Sequence, residues 1–211
     1  MKINKRLLVL TSLICLLPIV FGLLVWKQLP TQVPTHFGFS GEADGYSSKI
    51  EAVFILPLIL LALHIFTIVF TAISPKSSNV GPKITKIIYW MLPLLALLVQ
   101  VSTFLVALGY LKNPSQLIIG SISLLFIILG NYLPKLRQNY TVGIKLPWTL
   151  NDEKNWNRTH RMAGKVWVVC ASLSLLTCLF PTLTPYIFLP SIALMILVPV
   201  IYSYQISKKE A

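Results

Sequence analysis

Residues 29–46, "LPTQVPTHFGFSGEADGY", place groups that could do chemistry in an otherwise apolar part of the chain. His36, Glu42 and Asp44 supply an imidazole and two carboxylates, which suit a metal ion or a cationic ligand. Alternatively, the carboxylates make local hydrogen bonds in turns and His36 fixes the segment to a neighbour. Because the spacing of the three is irregular, the sequence predicts no metal and no cofactor here. Binding of a peptide or lipid is the favoured interpretation.

The same segment has the composition of an ordered loop. Prolines stiffen its start, glycines permit tight turns, and Phe37, Phe39 and Tyr46 could anchor it on its surroundings. It belongs to a polar connection, residues 27–50, that is longer than the 12–15 residues beyond which loops tend to be functional or disordered. We call this connection the first loop and expect it to form a folded cap. Its candidate ligand-binding residues are Pro34, His36, Phe37, Gly41, Glu42, Asp44 and Tyr46.

A second polar stretch, "NYLPKLRQNYTVGIKLPWTLNDEKNWNRTHRMAGKVW", covers residues 131–167. Its central part, residues 134–161, is called the long loop below. The letters "TLNDE" predict a helix start in which Thr149 or Asn151 is the cap, followed by two carboxylates near the positive end of the helix dipole.

The helix that follows should have one aromatic face. Trp156, His160, Ala163 and Trp167 recur at helical spacing, which predicts an interfacial helix that bends into a membrane. Cationic side chains on the other face would meet lipid phosphates or a partner; they are Lys154, Arg158 and Arg161. The simpler alternative is an anchored helix that follows the charge bias of membrane proteins. His160 by itself is no catalyst.

Apolar runs must position both loops. Of the 211 residues, 55% are hydrophobic and 11% charged, far from the roughly one quarter charged of soluble proteins. Runs long enough to cross a bilayer predict an all-α integral membrane protein with six transmembrane helices, at about 6–26, 51–73, 85–111, 116–133, 162–180 and 184–206. The N-terminus resembles a signal peptide but lacks a small-residue cleavage site, so we expect a retained first span.

The net charge of +12 is distributed unevenly along this topology. With the N-terminus inside, 15 of the 18 Lys and Arg residues fall on the inner side, and only Lys27, Lys49 and Lys112 fall outside. This bias predicts that both termini are cytoplasmic, that the first loop is outside and that the long loop is inside. The charge is therefore a topological signal, and we expect no direct binding of nucleic acid.

The residues of the predicted spans do not favour a transporter or an enzyme. None of the acidic residues lies deep in a predicted span, although ion-coupled transporters usually carry such groups there. His64 and Gln100 are the main polar residues at depth, and interhelical hydrogen bonds explain them equally well. The common hydrolase and phosphate-binding motifs are absent, so the sequence predicts a protein that is not an enzyme.

The pattern of "LP", "VPTHF" and "GEADGY" resembles an N-terminal domain of unknown function that includes the first two spans. The long loop and its flanks resemble the signature of the SdpI family, bacterial membrane proteins that give immunity to a secreted, membrane-active killing peptide. The matching positions of this inner-loop signature are Asn131, Pro134, Asn139, Gly143, Trp148, Trp156, Thr159, His160 and Gly164, together with Gly130; the signature also includes the position of Lys145. Lys145 departs from the arginine that the family often carries, and lysine cannot make a bidentate contact there.

The resemblance implies a two-part organisation: residues 1–80 with the first loop, and a four-span domain at 81–211 with the long loop. It further implies a bacterial cell-membrane protein that protects against a peptide toxin, contacts membrane lipids and, in some members, recruits a small cytoplasmic transcriptional repressor. The mechanism we expect is capture of the toxin at the outer face. A transporter or flippase that exports the peptide or a lipid is the main alternative, and a metal-dependent membrane enzyme is the third.

Overall fold

The computed structural model describes residues 1–38 and 41–209. Seven α-helices and two strands follow one another as α1 (Lys5–Leu24), β1 (Gln32–Phe37), β2 (Ala43–Ser48), α2 (Leu56–Ile73), α3 (Pro82–Ala107), α4 (Ser115–Tyr132), α5 (Pro147–Asn151), α6 (Glu153–Leu176) and α7 (Thr184–Lys209). A π-helical turn, Glu51–Ile55, precedes α2. Within the described residues, six helices are long and apolar enough to span a membrane, which confirms the six predicted spans.

The chain divides into two compact units. The first, Lys2–Ala72 with Thr85–Ile118, contains α1, the two strands, α2 and most of α3, and is called the hairpin unit. The second, Ile73–Ile84 with the described chain from Ile119 onward, contains most of α4 and the helices α5 to α7, and is called the loop unit. The predicted division at residue 80 stays a sequence prediction.

The first loop is a β-hairpin, an element that an all-α description leaves out. Strands β1 and β2 are antiparallel, with Val33 opposite Ser47 and Pro34 opposite Tyr46. The register shifts on either side of His36, so the two strands do not pair residue for residue. An isolated two-stranded hairpin is marginally stable in water, so this one needs support from the helices.

That support is an apolar core at one end of the hairpin unit. Val33 is fully buried among Ala52, Val53 and Phe104, and the Phe21 and Phe104 ring centroids lie 5.9 Å apart. Gly22 allows this packing, since a Cβ there would meet the Val53 methyl groups at 2.9 Å. One face of β1 is thereby fixed to the ends of α1 and α3 and to the π-helical turn before α2.

In the π-helical turn before α2, one backbone carbonyl has no backbone partner and is bonded by a side chain instead. The Leu56 N–H bonds to the Glu51 carbonyl five residues back. In that register the Ala52 carbonyl would be bonded by residue 57, which is proline and has no N–H. The Gln100 side-chain amide, fully buried on α3, donates to the Ala52 carbonyl instead. Polar pairing between Gln100 on α3 and the turn before α2 thus explains Gln100, one of the two explanations that the sequence allowed.

We predict that Gln100→Leu destabilises the protein by about 1–3 kcal/mol, because it leaves the Ala52 carbonyl buried without a partner. Thermal unfolding in a neutral detergent measures the change. Pro57→Ala restores the missing N–H, so the double variant should recover much of the loss. A double variant no more stable than Gln100→Leu alone would contradict this assignment.

His64 joins α2 to α1 in the same way. Its Nε2 lies 2.9 Å from the Thr11 hydroxyl, which itself donates to the Leu7 carbonyl. Because that hydroxyl hydrogen is already used, Nε2 must be the donor in this pair. His64 therefore serves as an interhelical contact, one of the two explanations the sequence allowed.

Close packing in the loop unit depends on two glycines. A Cβ on Gly164 of α6 would lie 2.7 Å from the Gly130 carbonyl oxygen and 2.8 Å from the Pro134 ring. A Cβ on Gly130 would meet Trp167 and Val168 of α6 at 3.0 Å. Helices α4 and α6 thus approach as closely as backbone atoms permit, which membrane helices achieve with small residues.

The turn between α6 and α7 follows the predicted "PTLTP" reversal, with a 3₁₀ turn at Pro181–Leu183 before α7 begins at Thr184. The two helices are also joined by the Trp167 indole, whose N–H donates to the Met195 carbonyl at 2.9 Å.

The predicted cap of the helix in the long loop is wrong. Asp152 caps α6, and its carboxylate accepts from the N–H groups of Lys154 and Asn155 at 2.8 and 3.1 Å. Thr149 is unavailable as that cap because its hydroxyl lies 2.8 Å from the Ile144 carbonyl and accepts from the Leu146 N–H at 2.9 Å. A separate one-turn helix, α5, precedes the cap and contains both residues proposed from the sequence.

Candidate functional site

The exposed side of the hairpin carries the polar residues of the first loop. Side chains of His36 and Asp44 are 75% and 56% exposed, and His36 Nδ1 lies 2.5 Å from Asp44 Oδ1. Tyr46 is 59% exposed and Glu42 is also exposed. Asp44 and Tyr46 are two residues apart on β2, so they share one face of the strand. We call His36, Glu42, Asp44 and Tyr46 the hairpin face.

Three other predicted binding residues of the first loop serve its packing. Pro34 and Gly41 are buried and Phe37 is half-buried. Gly41 has φ +86° and lies against the Asn113 side chain, where a Cβ would overlap the amide group. Phe39 lies outside the described residues. The structure thus separates residues that shape the hairpin from the four that face outward.

The base of the hairpin is fixed by two polar contacts. Ser48 and Glu51 bond reciprocally, since the Ser48 N–H donates to the Glu51 carboxylate at 2.8 Å and the Glu51 N–H to the Ser48 hydroxyl at 3.3 Å. The Lys49 ammonium donates to the Trp26 carbonyl at 2.9 Å and lies 5.2 Å from the Trp26 ring centroid. The hairpin face is therefore mounted on a fixed support, with this lysine held at its base.

The hairpin face offers a hydrogen-bonded pair of imidazole and carboxylate and a second carboxylate. In residues 1–38 and 41–209, no group of three or more His, Cys, Asp or Glu side chains is placed to hold a metal ion. The carboxylates of the hairpin face can accept hydrogen bonds from a cationic or amide group of a ligand, and the Tyr46 ring can contact an apolar group of the same ligand.

The long loop is organised around His160 on α6. His160 is 1% exposed, its Nε2 accepts the Ile144 N–H at 2.9 Å, and its Nδ1 lies 2.8 Å from the Trp156 carbonyl. An accepting Nε2 leaves the proton on Nδ1, so this is a neutral imidazole with both nitrogens paired. Its ring stacks on Trp156 at 4.0 Å between centroids. The aromatic face of α6 thus packs against the protein's own loop, which differs from the interfacial interpretation.

Gly143 is where the long loop passes over this pair. It has φ +116°, and a Cβ there would lie 2.5 Å from His160 Nε2 and 3.1 Å from the Trp156 ring. Only glycine fits both this backbone conformation and this contact.

Asn139 forms the turn that leads to Gly143. Its side-chain oxygen accepts the N–H groups of Thr141 and Val142, and its amide donates to the Arg137 and Val142 carbonyls. The residue is 1% exposed, so a single buried side chain supplies the partners that this turn requires.

Two more signature residues, Trp148 and Thr159, make contacts that involve Ser203 of α7 or the neighbouring turn of α6. The Trp148 indole donates to the Ser203 hydroxyl at 2.9 Å. Asn155, which the sequence analysis missed, donates to the Ser203 carbonyl and accepts from Thr159. The sequence could have indicated Asn155, because it lies one helical turn before Thr159 in the predicted helix. Together these contacts fix the long loop to the last helix.

The remaining signature residues lie at the end of α4 and on the loop surface. Asn131 is exposed and bonds back to the Ile127 carbonyl within α4. Pro134 packs against Gly164, whereas Lys145 is exposed and donates to the Thr141 carbonyl at 3.0 Å. The lysine that departs from the family pattern therefore makes a local contact only.

The segment after α4, residues 133–138, is held along its length and is called the strap. The Trp156 indole donates to the Leu136 carbonyl at 2.8 Å. Gln138, missed by the sequence analysis, is buried and donates to the Thr149 and Leu150 carbonyls, while its own carbonyl accepts from Asn79 at 2.8 Å. Most of the signature thus acts by giving the loop and strap one conformation.

The region that contains most of the long loop is similar to known proteins. The model of the SdpI/YfhL protein family matches residues 135–203, which begin in the strap and end at Ser203 on α7. "Immunity protein SdpI" of Bacillus subtilis (strain 168) is 29% identical over 204 residues, covering 95% of this chain and 96% of that protein. The chain is therefore similar to the SdpI/YfhL family over the long loop and the last two long helices, and to an immunity protein over nearly its whole length.

The hairpin has its own match. The model of DUF1648, a domain of unknown function, covers residues 13–61, which run from α1 through both strands into α2. No solved structure matches this chain. With six spanning helices and a bacterial relative that matches along nearly its full length, it is a multi-pass bacterial membrane protein.

Proposed function

We propose that this protein is a member of the SdpI family, a membrane immunity protein that binds a secreted peptide toxin at the outer face of the cell membrane. The observation that carries the proposal is the match to Immunity protein SdpI over 95% of the chain, since both units lie within it. The uneven distribution of Lys and Arg supports an outer first loop and cytoplasmic termini.

We assign toxin binding to the hairpin face. Amphipathic antimicrobial peptides present Lys and Arg on one side and apolar residues on the other. Glu42 and Asp44 are complementary to the cationic side of such a peptide, and the exposed ring of Tyr46 is complementary to its apolar side. A hairpin already fixed on its core loses little conformational freedom when it binds, which favours affinity. Capture needs no energy source and no catalytic step.

The long loop is the proposed site for a cytoplasmic partner. Its polar residues hold one loop conformation, and exposed cations follow along its surface and α6, among them Lys145, Lys154 and Arg161. A small transcriptional repressor recruited to the membrane would meet this basic surface. This part of the proposal rests on the family resemblance and on the exposed charge.

Direct binding tests the toxin assignment. We predict that Glu42→Gln with Asp44→Asn weakens binding of a fluorescently labelled SDP-type peptide by about tenfold or more, because two charge-assisted contacts are lost. Both replacements are isosteric, and the amide oxygen introduced at position 44 can still accept from His36. Fluorescence anisotropy with the full chain in lipid nanodiscs measures the dissociation constant. The matched control is Thr31→Ala with Gln32→Ala, two exposed positions at the hairpin base.

If the variant Glu42→Gln with Asp44→Asn binds the peptide with unchanged affinity, the hairpin carboxylates do not contribute to toxin binding. Equal weakening by the control would mean that general damage to the hairpin, rather than the hairpin face, explains the result.

A further inference from the structure

The loop unit contains a second surface with a distinct chemistry, on the side where the strap lies. A cleft of about 440 Å³ opens between the strap and the start of α3. Three cations line it: Lys83 from α3, and Lys135 and Arg137 from the strap. We call it the basic cleft. It does not include the hairpin face, which belongs to the other unit.

The basic cleft carries an excess of positive charge. Among the residues that the structure describes, no carboxylate lines it. All three cations are exposed. The Lys135 ammonium lies 5.1 Å from the Tyr132 ring centroid, which orients it without cancelling its charge. The cleft is therefore suited to an anion.

The geometry of the cleft is fixed from behind. The carbonyls of Leu136, Arg137 and Gln138 are bonded by Trp156, Asn139 and Asn79, at 2.8, 2.9 and 2.8 Å. These bonds hold the strap backbone while the Lys135 and Arg137 side chains extend from it into the cleft. A binding surface that is already ordered avoids much of the entropy loss of binding.

The lining also has an apolar part. Ile84 and Leu136 are buried residues of the lining, and Tyr132 adds an aromatic ring. A free phosphate would use only the cations, whereas a phospholipid would place its phosphate among them and its glycerol and acyl carbons on the apolar part. Basic pockets at the end of membrane helices are typical sites for anionic headgroups.

We propose that the basic cleft binds the phosphate group of an anionic phospholipid. Arg137 supplies a planar guanidinium that can hold two phosphate oxygens, and Lys83 and Lys135 add point charges from the two sides. On this account, the polar signature of the long loop has a second consequence: it positions a lipid site as well as the loop itself.

Lipid titration of the purified full chain in a neutral detergent tests the proposal. Short-chain phosphatidylglycerol is added, and bound lipid is counted by native mass spectrometry beside the thermal unfolding midpoint. The site variant is K83Q/K135Q/R137Q. Since each Lys or Arg contributes a factor of about five to binding of an anionic lipid, we expect at least about a tenfold loss of affinity.

The control variant, R6Q/K208Q/K209Q, also removes two lysines and one arginine, in this case from exposed positions on α1 and α7. The expected result is saturable phosphatidylglycerol binding that this control retains. Short-chain phosphatidylcholine and inorganic phosphate at equal concentration should give no comparable response. All six positions are exposed, and the thermal midpoint without lipid verifies that both variants fold.

Equal weakening by both variants would overturn the proposal, because it would show diffuse attraction to net charge. An equal response to inorganic phosphate would overturn the assignment to a lipid. Absence of saturable binding in the parent would overturn the site altogether and leave an acidic protein segment as the next ligand to test. None of these results depends on whether the hairpin face binds toxin.

Discussion

Gly143→Ala is expected to destabilise the protein by about 3 kcal/mol, which combines the strain of a positive φ with loss of a buried hydrogen bond. A Cβ at this position would lie 2.5 Å from His160 Nε2, the atom that accepts the Ile144 N–H. His160 must move, and the loop above α6 loses its fixed conformation. For a chain of this size, the thermal midpoint should fall by roughly 10 °C.

Gly81→Ala is the matched control for this prediction. A Cβ at Gly81 would meet nothing within 4 Å, and its φ is not in the positive range. We expect that control to unfold near the parent temperature in the same detergent.

A double-mutant cycle separates the two causes. In a His160→Ala background, Gly143→Ala should cost less, because the clash with His160 is gone and only the backbone strain and the close contact with the Trp156 ring remain. An equal cost in both backgrounds would contradict the contact between Gly143 and His160.

The six spans could be predicted from sequence because a single property, a run of about 20 apolar residues, is sufficient to specify a membrane helix. The hairpin could not. Its strands are short, one contains Pro34, and the register shifts around His36 interrupt simple alternation. What stabilises the hairpin is Val33 in a core formed with α1, α3 and the π-helical turn, a tertiary contact that no local pattern records.

The long loop illustrates a different limit. Helical spacing correctly placed Trp156, His160 and Ala163 on one buried face of α6. The same spacing led us to predict a membrane interface. Spacing indicates that one face of a helix is buried, but it does not indicate whether lipid or protein covers that face. The covering atoms belong to Gly143 and Ile144, more than ten residues earlier in the chain.

The capping error has a related origin. Thr149, Asn151 and Asp152 are all good caps by type, and only the position of the chain decides among them. Thr149 is held by Ile144 and Leu146, so the helix can begin only after Asp152.

Loss of protection by a hairpin-face variant is the second large effect we expect. E42Q/D44N/Y46A removes both carboxylate charges and the exposed ring while leaving the buried Val33 and Pro34 in place. A toxin held by these contacts would no longer be captured before it reaches the bilayer. Cells expressing the variant should therefore die at the toxin concentration that kills cells without the protein.

The most direct measurement is survival of a sensitive bacterium challenged with purified SDP-type peptide. The strains compared express the parent, the E42Q/D44N/Y46A variant or the T31A/Q32A control, at equal abundance in the membrane. The account predicts protection by the parent and the control but not by the variant. Protection by all three would contradict toxin capture at the hairpin face, and protection by none would contradict immunity to this peptide.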